Sequence, residues 1–164
     1  MCEQLAIYHK LDPKKAAKAG LMHDLAKFFP PPKLLAMAKK EYNEIDEVCL
    51  SNPHLLHADV SAMVARDTFN VTDEEILNAI RNHTLGKPEM SHLSCIVFIA
   101  DALELNRGNT PELEKMRQVS LQNLYKSVQQ TCEYSLQYLI KHNKTIHPRA
   151  ILTRNWALHE TRNQ

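Results

Sequence analysis

Apolar positions along the chain recur at intervals of three and four residues, and no stretch alternates strictly between apolar and polar. The pattern predicts helices throughout and no strands. Helix boundaries are marked by caps and prolines. Asp12-Pro13 pairs a capping residue with proline at the first helical position, a start signal for the alanine-rich segment that follows. Ala16 to Lys27 is predicted as an amphipathic helix, stopped by Pro30-Pro31-Pro32, because proline lacks a donor and restricts its predecessor. A helix over Lys33 to Lys40 follows. Ser51-Asn52-Pro53 opens another to about Phe69, and Thr72-Asp73-Glu74-Glu75 has the spacing of a capping box before a helix to about His83. Thr84 to Ser91 is a loop. Leu93 to Asn106 is an almost continuous apolar helix, Pro111 restarts a short one, Leu121 to Lys141 is long and amphipathic, and Pro148 opens the last. Residues Met1 to about His9 make a first helix of barely two turns, a length that is marginal without tertiary packing. With three glycines, no internal repeat and no linker, the expectation is one all-α domain over 1–164.

Composition narrows this only slightly. Hydrophobic residues make up 44% and charged residues 24%, as in an ordinary globular protein. The net charge of +1 argues against general nucleic-acid binding, so any phosphate must be held by a local site. Cys2, Cys49, Cys95 and Cys132 form no Cys-x-x-Cys pair, which points to free thiols in a reducing cytoplasm. No apolar run has the length of a membrane span, and the first residues lack a signal-peptide layout.

The chemistry concentrates at a few positions. His23-Asp24 lies among Ala19, Leu21, Met22, Leu25 and Ala26. Adjacent helical residues point about 100° apart, so this pair can reach one ion from neighbouring directions. Lys27 shares Asp24's face and can hold a phosphate beside the ion, or it can answer the helix dipole in a terminal polar cluster. Asp101 follows Ile96-Val97-Phe98-Ile99-Ala100. A bare carboxylate on so apolar a helix is costly, so it is expected to bind metal or to pair with Arg107 or Lys27. His57 and His83 sit early and late in separate helices; a bundle can converge such groups in its core. His9, His54, His92, His142 and His159 are read as surface histidines.

These residues resemble the YqeK family of HD-domain proteins, which act as symmetrical diadenosine-tetraphosphate hydrolases. The matching segments are 19–27 (AGLMHDLAK), 56–60 (LHADV), 75–84 (EILNAIRNHT) with Gly86 and Pro88, Ala100-Asp101 followed by Asn106-Arg107, and Ile146-His147-Pro148 with Asn155. The resemblance implies an HD-type helical bundle in which His23, Asp24 and Asp101 bind iron. Asp24 and Asp101 would also lie close to the substrate phosphates, and His57, His83, Thr84 and Arg107 would contact them. His147, Pro148, Arg149, Ala150, Ile151 and Leu152 would lie against the nucleoside. Ala102 and Leu105 stand where the family usually has Tyr and Pro, which implies altered packing beside intact polar positions. The family's first metal ligand is a histidine on an opening helix upstream of Met1; either the start is placed late or the ligand is lost, and for the chain beginning at Met1 a shortened first helix and a weakened site are expected.

A nitrogen and oxygen ligand set without thiolates suits iron or manganese, with other divalent metals also open. Such a metal lowers the pKa of water from ~15.7 toward ~7, and Asp24, Lys27, His57 and His83 form the catalytic set around it, with Lys27, His57, His83 and Arg107 offsetting phosphoryl charge. The expected partner is a dinucleoside polyphosphate or an ADP-like nucleotide, with no membrane, and a homodimer is compatible with this reading. Two alternatives stand beside the symmetrical hydrolase: an HD nucleotidase acting on other nucleotides, and a nucleotide-binding HD module without turnover.

Overall fold

The computed structural model describes residues 1–163. In chain order its α-helices are α1 (Cys2–Tyr8), α2 (Pro13–Met22), α3 (Pro31–Glu41), α4 (Glu47–Ser51), α5 (His57–Phe69), α6 (Glu74–Asn82), α7 (His92–Leu103), α8 (Pro111–Ser120), α9 (Leu124–Lys141) and α10 (Pro148–Arg162). Short 3-10 turns cover Pro53–Leu56 and Leu105–Arg107. The described residues contain no strand, so the all-α reading holds.

Local chemistry accounts for most helix starts. The Asp12 carboxylate accepts from the Lys14 and Lys15 amides, and Asp73 accepts from Glu75 and Ile76. Ser91, Thr110, Asn123 and His147 do the same for α7 to α10. Each satisfies amides that the helix itself leaves without partners. The cap of α6 is therefore Asp73, one residue beyond the Thr72 of the capping-box reading.

The central element is α7, whose Leu93, Ile96, Val97, Ile99 and Leu103 are buried on all sides, as its unbroken apolar run predicts. Helices α1, α2, α6, α8 and α9 surround it. A second apolar cluster of Leu34, Ala38, Leu56, Val60 and Met63 lies between α3, the Pro53–Leu56 turn and α5. Leu25 packs on the first cluster and Ala26 belongs to the second. The segment between α2 and α3 thus lies across both.

Several boundaries differ from the sequence reading, each for a tertiary reason. Helix α2 stops at Met22 and not at Lys27. Beyond it the chain runs in tight turns, with Lys27 N bonded to Asp24 O and Phe29 N to Ala26 O, while the Ala26 amide donates to the buried Ser61 hydroxyl at 3.0 Å. Helix α7 ends at Leu103 and not at Asn106. There the Arg117 guanidinium of α8 donates to the carbonyls of Leu103, Glu104 and Gly108 at 2.8, 3.2 and 2.7 Å, taking the Leu103 acceptor that another helical turn would have used and holding the chain that follows. Helix α9 begins at Leu124, not Leu121, where Asn123 caps it. Helix α4 was not read from the sequence.

Candidate metal and phosphate site

Three histidines are aimed at one point by the same local device. His23 follows the last residue of α2, His83 follows the last of α6, and His57 follows the Pro53–Leu56 turn. At such ends the last carbonyls lack helical partners. Each histidine Nδ1 lies against one of them: His23 on Gly20 O at 2.6 Å, His57 on His54 O at 2.6 Å and His83 on Ile80 O at 2.8 Å. A carbonyl can only accept, so each Nδ1 carries the proton and each Nε2 faces inward.

The inward atoms crowd together. His57 Nε2 and His83 Nε2 are 3.0 Å apart. The Thr84 hydroxyl lies 2.9 Å from the second and 3.2 Å from the first, and its one proton can serve only one of them. Asp24 Oδ1 lies 3.3 Å from His57 Nε2 and 3.4 Å from His83 Nε2 and is buried without a hydrogen bond. Asp24 Oδ2 lies 3.3 Å from His23 Nε2 and forms an ion pair with Lys27. The site holds more lone pairs than protons to share among them. A buried acceptor left in this state is costly, and a divalent cation removes the deficit. His23, Asp24 and His83 offer one ligand atom each, all within 4.8 Å of one another.

Asp101 approaches from α7. Its Oδ1 is 3.6 Å from His23 Nε2 and 2.7 Å from Arg107 Nη2, and Arg107 Nε also donates to Asp101 O. The pairing with Arg107 foreseen for this carboxylate is present; the alternative partner Lys27 is taken by Asp24. Asp101 is less enclosed than its apolar run suggests, with a side chain 21% exposed at the rim of the buried helix.

Negative charge dominates the site's electrostatics, and His23 responds to it most strongly. For Asp24, burial works against the charge, but the neighbouring His23, His57, His83 and Lys27 prevail and hold the carboxyl far below the usual range. Burial likewise opposes ionisation of Asp101, and His23 and Arg107 bring it to about 2. His23 is raised to about 10: burial disfavours its charge, yet Asp101, Asp24 and the Gly20 carbonyl outweigh it. His83 moves the other way, kept neutral by burial.

The structure thus brings together His23, Asp24, Lys27, His57, His83, Thr84, Asp101 and Arg107. The segment from His147 to Leu152 lies at the start of α10. His147 Nδ1 accepts from the Arg149 amide at 3.0 Å, and its Nε2 lies 3.2 Å from Asp46 Oδ2. Ile151 and Leu152 are 44% and 56% exposed. Asp46, Cys49 and His147 also lie close enough to share an ion. Their hydrogen bonds favour a clasp instead, because His147 uses Nδ1 as an acceptor and must therefore donate from Nε2 to Asp46. Of the histidines set aside as surface residues, His9 bonds Ser120 O at 2.7 Å and His92 bonds the Tyr125 hydroxyl at 3.0 Å. A groove of about 850 Å³ beside α1 has His23 and Asp101 in its lining. Sequence reasoning missed Ser61, Asp46 and the Gly20 carbonyl, whose roles depend on contacts with no local signature.

Comparison with known proteins places this arrangement. Residues 1–106 match the HD domain family, a span that contains His23, Asp24, His57, His83 and Asp101. The chain belongs to the HD-domain family, in its YqeK branch. This HD domain is similar to the symmetrical bis(5'-nucleosyl)-tetraphosphatase of Bacillus subtilis, at 35% identity over 158 residues covering 94% of this chain and 82% of the relative. The protein of the same name from Halalkalibacterium halodurans is 33% identical over 156 residues, covering 95% and 82%. Among solved structures, a predicted HD superfamily hydrolase involved in NAD metabolism from Clostridium acetobutylicum superposes with a TM-score of 0.92 at 30% identity, covering 97% of this chain and 84% of that one. No helix among the described residues is long and apolar enough to cross a membrane.

Proposed function

We propose that this chain is a metal-dependent phosphohydrolase that cleaves diadenosine tetraphosphate symmetrically to two molecules of ADP. The observation that carries the reading is the surplus of inward lone pairs at His57, His83 and Asp24, flanked by two cations that reach solvent. The family and the activity for which its relatives are named supply the substrate.

His23, Asp24 and Asp101 would hold the metal, and His83 stands close enough to join them. Iron or manganese suits these imidazole and carboxylate donors. When bound, the metal supplies Lewis acidity that activates water and offsets phosphoryl charge. The chain's own side chains do the rest. Lys27 and Arg107 are 41% and 44% exposed, so each can keep its carboxylate partner and turn a second donor to a phosphate oxygen. Thr84 offers a hydroxyl, and His57 and His83 would face the charge that develops on the transferring group, a placement that favours a transition state over a ground state. The first turn of α10, from His147 through Pro148, Arg149, Ala150 and Ile151 to Leu152, would take the nucleoside, with exposed Ile151 and Leu152 as its apolar face. All of this lies in one HD domain over 1–164. The free thiols Cys2, Cys49, Cys95 and Cys132 suit the cytoplasm.

The test is product analysis with the metal-loaded protein. ADP as the sole product supports the proposal. AMP together with ATP means asymmetrical cleavage and refutes it. Turnover of nucleoside monophosphates alone favours a different nucleotidase, and ADP binding without turnover favours a binding module.

A further inference from the structure

The proposed nucleoside wall and the proposed phosphate site belong to elements far apart in sequence, and one junction joins them. Gly86 lies two residues after Thr84, in the loop between α6 and α7. Its φ is +65°, in the left-handed region that side chains other than glycine disfavour. A Cβ at this position would lie 2.4 Å from Thr153 Cγ2 and 2.9 Å from Thr153 Oγ1, so the loop backbone rests directly on Thr153. Thr153 follows Leu152 in α10 and is completely buried. Its hydroxyl lies 3.0 Å from Leu85 O and 2.8 Å from Arg149 O. The one hydroxyl proton is therefore shared between the loop that carries His83 and Thr84 and the turn that carries His147 to Leu152. A buried polar contact of this kind fixes register as well as contributing stability, because sliding either element leaves a buried group without its partner.

We infer that Thr153, seated on Gly86, is a positioning residue that sets the nucleoside-binding turn of α10 at its working distance from the phosphate site. Thr153 touches neither phosphate nor metal in this reading; it acts through the backbone of Leu85 and Arg149. The inference rests on the nucleotide reading proposed above. Thr153→Val keeps the volume and removes the shared proton. It should raise KM for diadenosine tetraphosphate, and weaken ADP binding, by about tenfold, the loss expected for one buried hydrogen bond. Turnover at saturation and metal content should stay within twofold, since the metal-facing side chains are untouched. Thr153→Ser retains the hydroxyl and should behave as wild type. Gly86→Ala forces a methyl against Thr153 and should weaken ADP binding more than Thr153→Val does.

The experiment measures KM, kcat, metal content and ADP affinity by calorimetry for the three variants, with melting curves to confirm folding at the assay temperature. Unchanged ADP affinity in folded Thr153→Val overturns the inference. So does a parallel loss of kcat and metal in that variant, which would make Thr153 a general structural residue. If Thr153→Val melts below the assay temperature, Gly86→Ala decides, and wild-type ADP affinity there overturns it. A wild-type chain that binds no ADP and cleaves no dinucleotide fails the functional proposal itself, an outcome distinct from a failed variant.

Discussion

Ser61 connects the fold to the chemistry, and Ser61→Ala tests that connection. The side chain is fully buried in α5, and its hydroxyl accepts from the Ala26 amide at 3.0 Å. That amide belongs to the turn carrying Asp24 and Lys27, where α2 has already ended. Removing the hydroxyl leaves a buried N–H without a partner, at a cost of about 1–3 kcal/mol. At ~2–4 °C per kcal/mol for a domain of this size, the melting temperature should fall by roughly 2–12 °C. The turn should also loosen, so metal content and turnover should fall more than the stability loss alone explains. Ser120→Ala provides the contrast. Ser120 is equally buried and its hydroxyl donates to Arg117 O at 2.7 Å, but it lies at the end of α8 and outside the metal and phosphate site. It should lose stability and keep its rate at temperatures where it is folded. The assay pairs melting by circular dichroism with metal content and turnover on one preparation of each variant. Equal turnover per folded molecule in Ser61→Ala and Ser120→Ala would refute the reasoning, because it would show that Ser61 contributes to the core alone.

Other outcomes follow from the same geometry. Lys27→Ala and Arg107→Ala should retain metal and lose on the order of 100-fold in turnover, measured by steady-state kinetics alongside elemental analysis. Leu77→Ala, at a fully buried position of α6, should cost about 2–5 kcal/mol in urea unfolding. The Asp46 carboxyl is held at about 2: burial opposes its charge, but the Cys49 amide and His147 outweigh it. The clasp it forms is complete above an ordinary Asp pKa of about 3.9 and is lost as pH falls through about 2. The melting-temperature difference between wild type and Asp46→Asn should therefore be present at pH 6 and close between about pH 4 and pH 2, as followed by thermal melts.

Elements bounded by caps and prolines were legible in the sequence. Asp12-Pro13, Pro111 and Pro148 start α2, α8 and α10 as expected, because a cap acts within one turn of its own residue. The unbroken apolar run of α7 identified the central helix for a similar reason: only an element covered on every side tolerates it. Ends set at long range were not legible. Helix α2 is cut short where Ser61, thirty-five positions away, takes the Ala26 amide, and α7 ends where Arg117 takes its last carbonyl. The polar residues of the site were legible as types: His23, Asp24, His57, His83 and Asp101 do come together. Their aim was not, since it depends on the carbonyls of Gly20, His54 and Ile80, which the side-chain pattern does not reveal.

The central claim is that the Asp24 cluster binds a divalent metal and uses it on a dinucleotide. The most direct measurement is metal stoichiometry and product composition on the same samples of wild type and Asp24→Asn, a substitution that preserves shape and removes the charge facing the three imidazoles. The account predicts iron or manganese and ADP alone from wild type, with both lost in Asp24→Asn while its fold is retained. Equal metal and equal ADP production by a folded Asp24→Asn would contradict it.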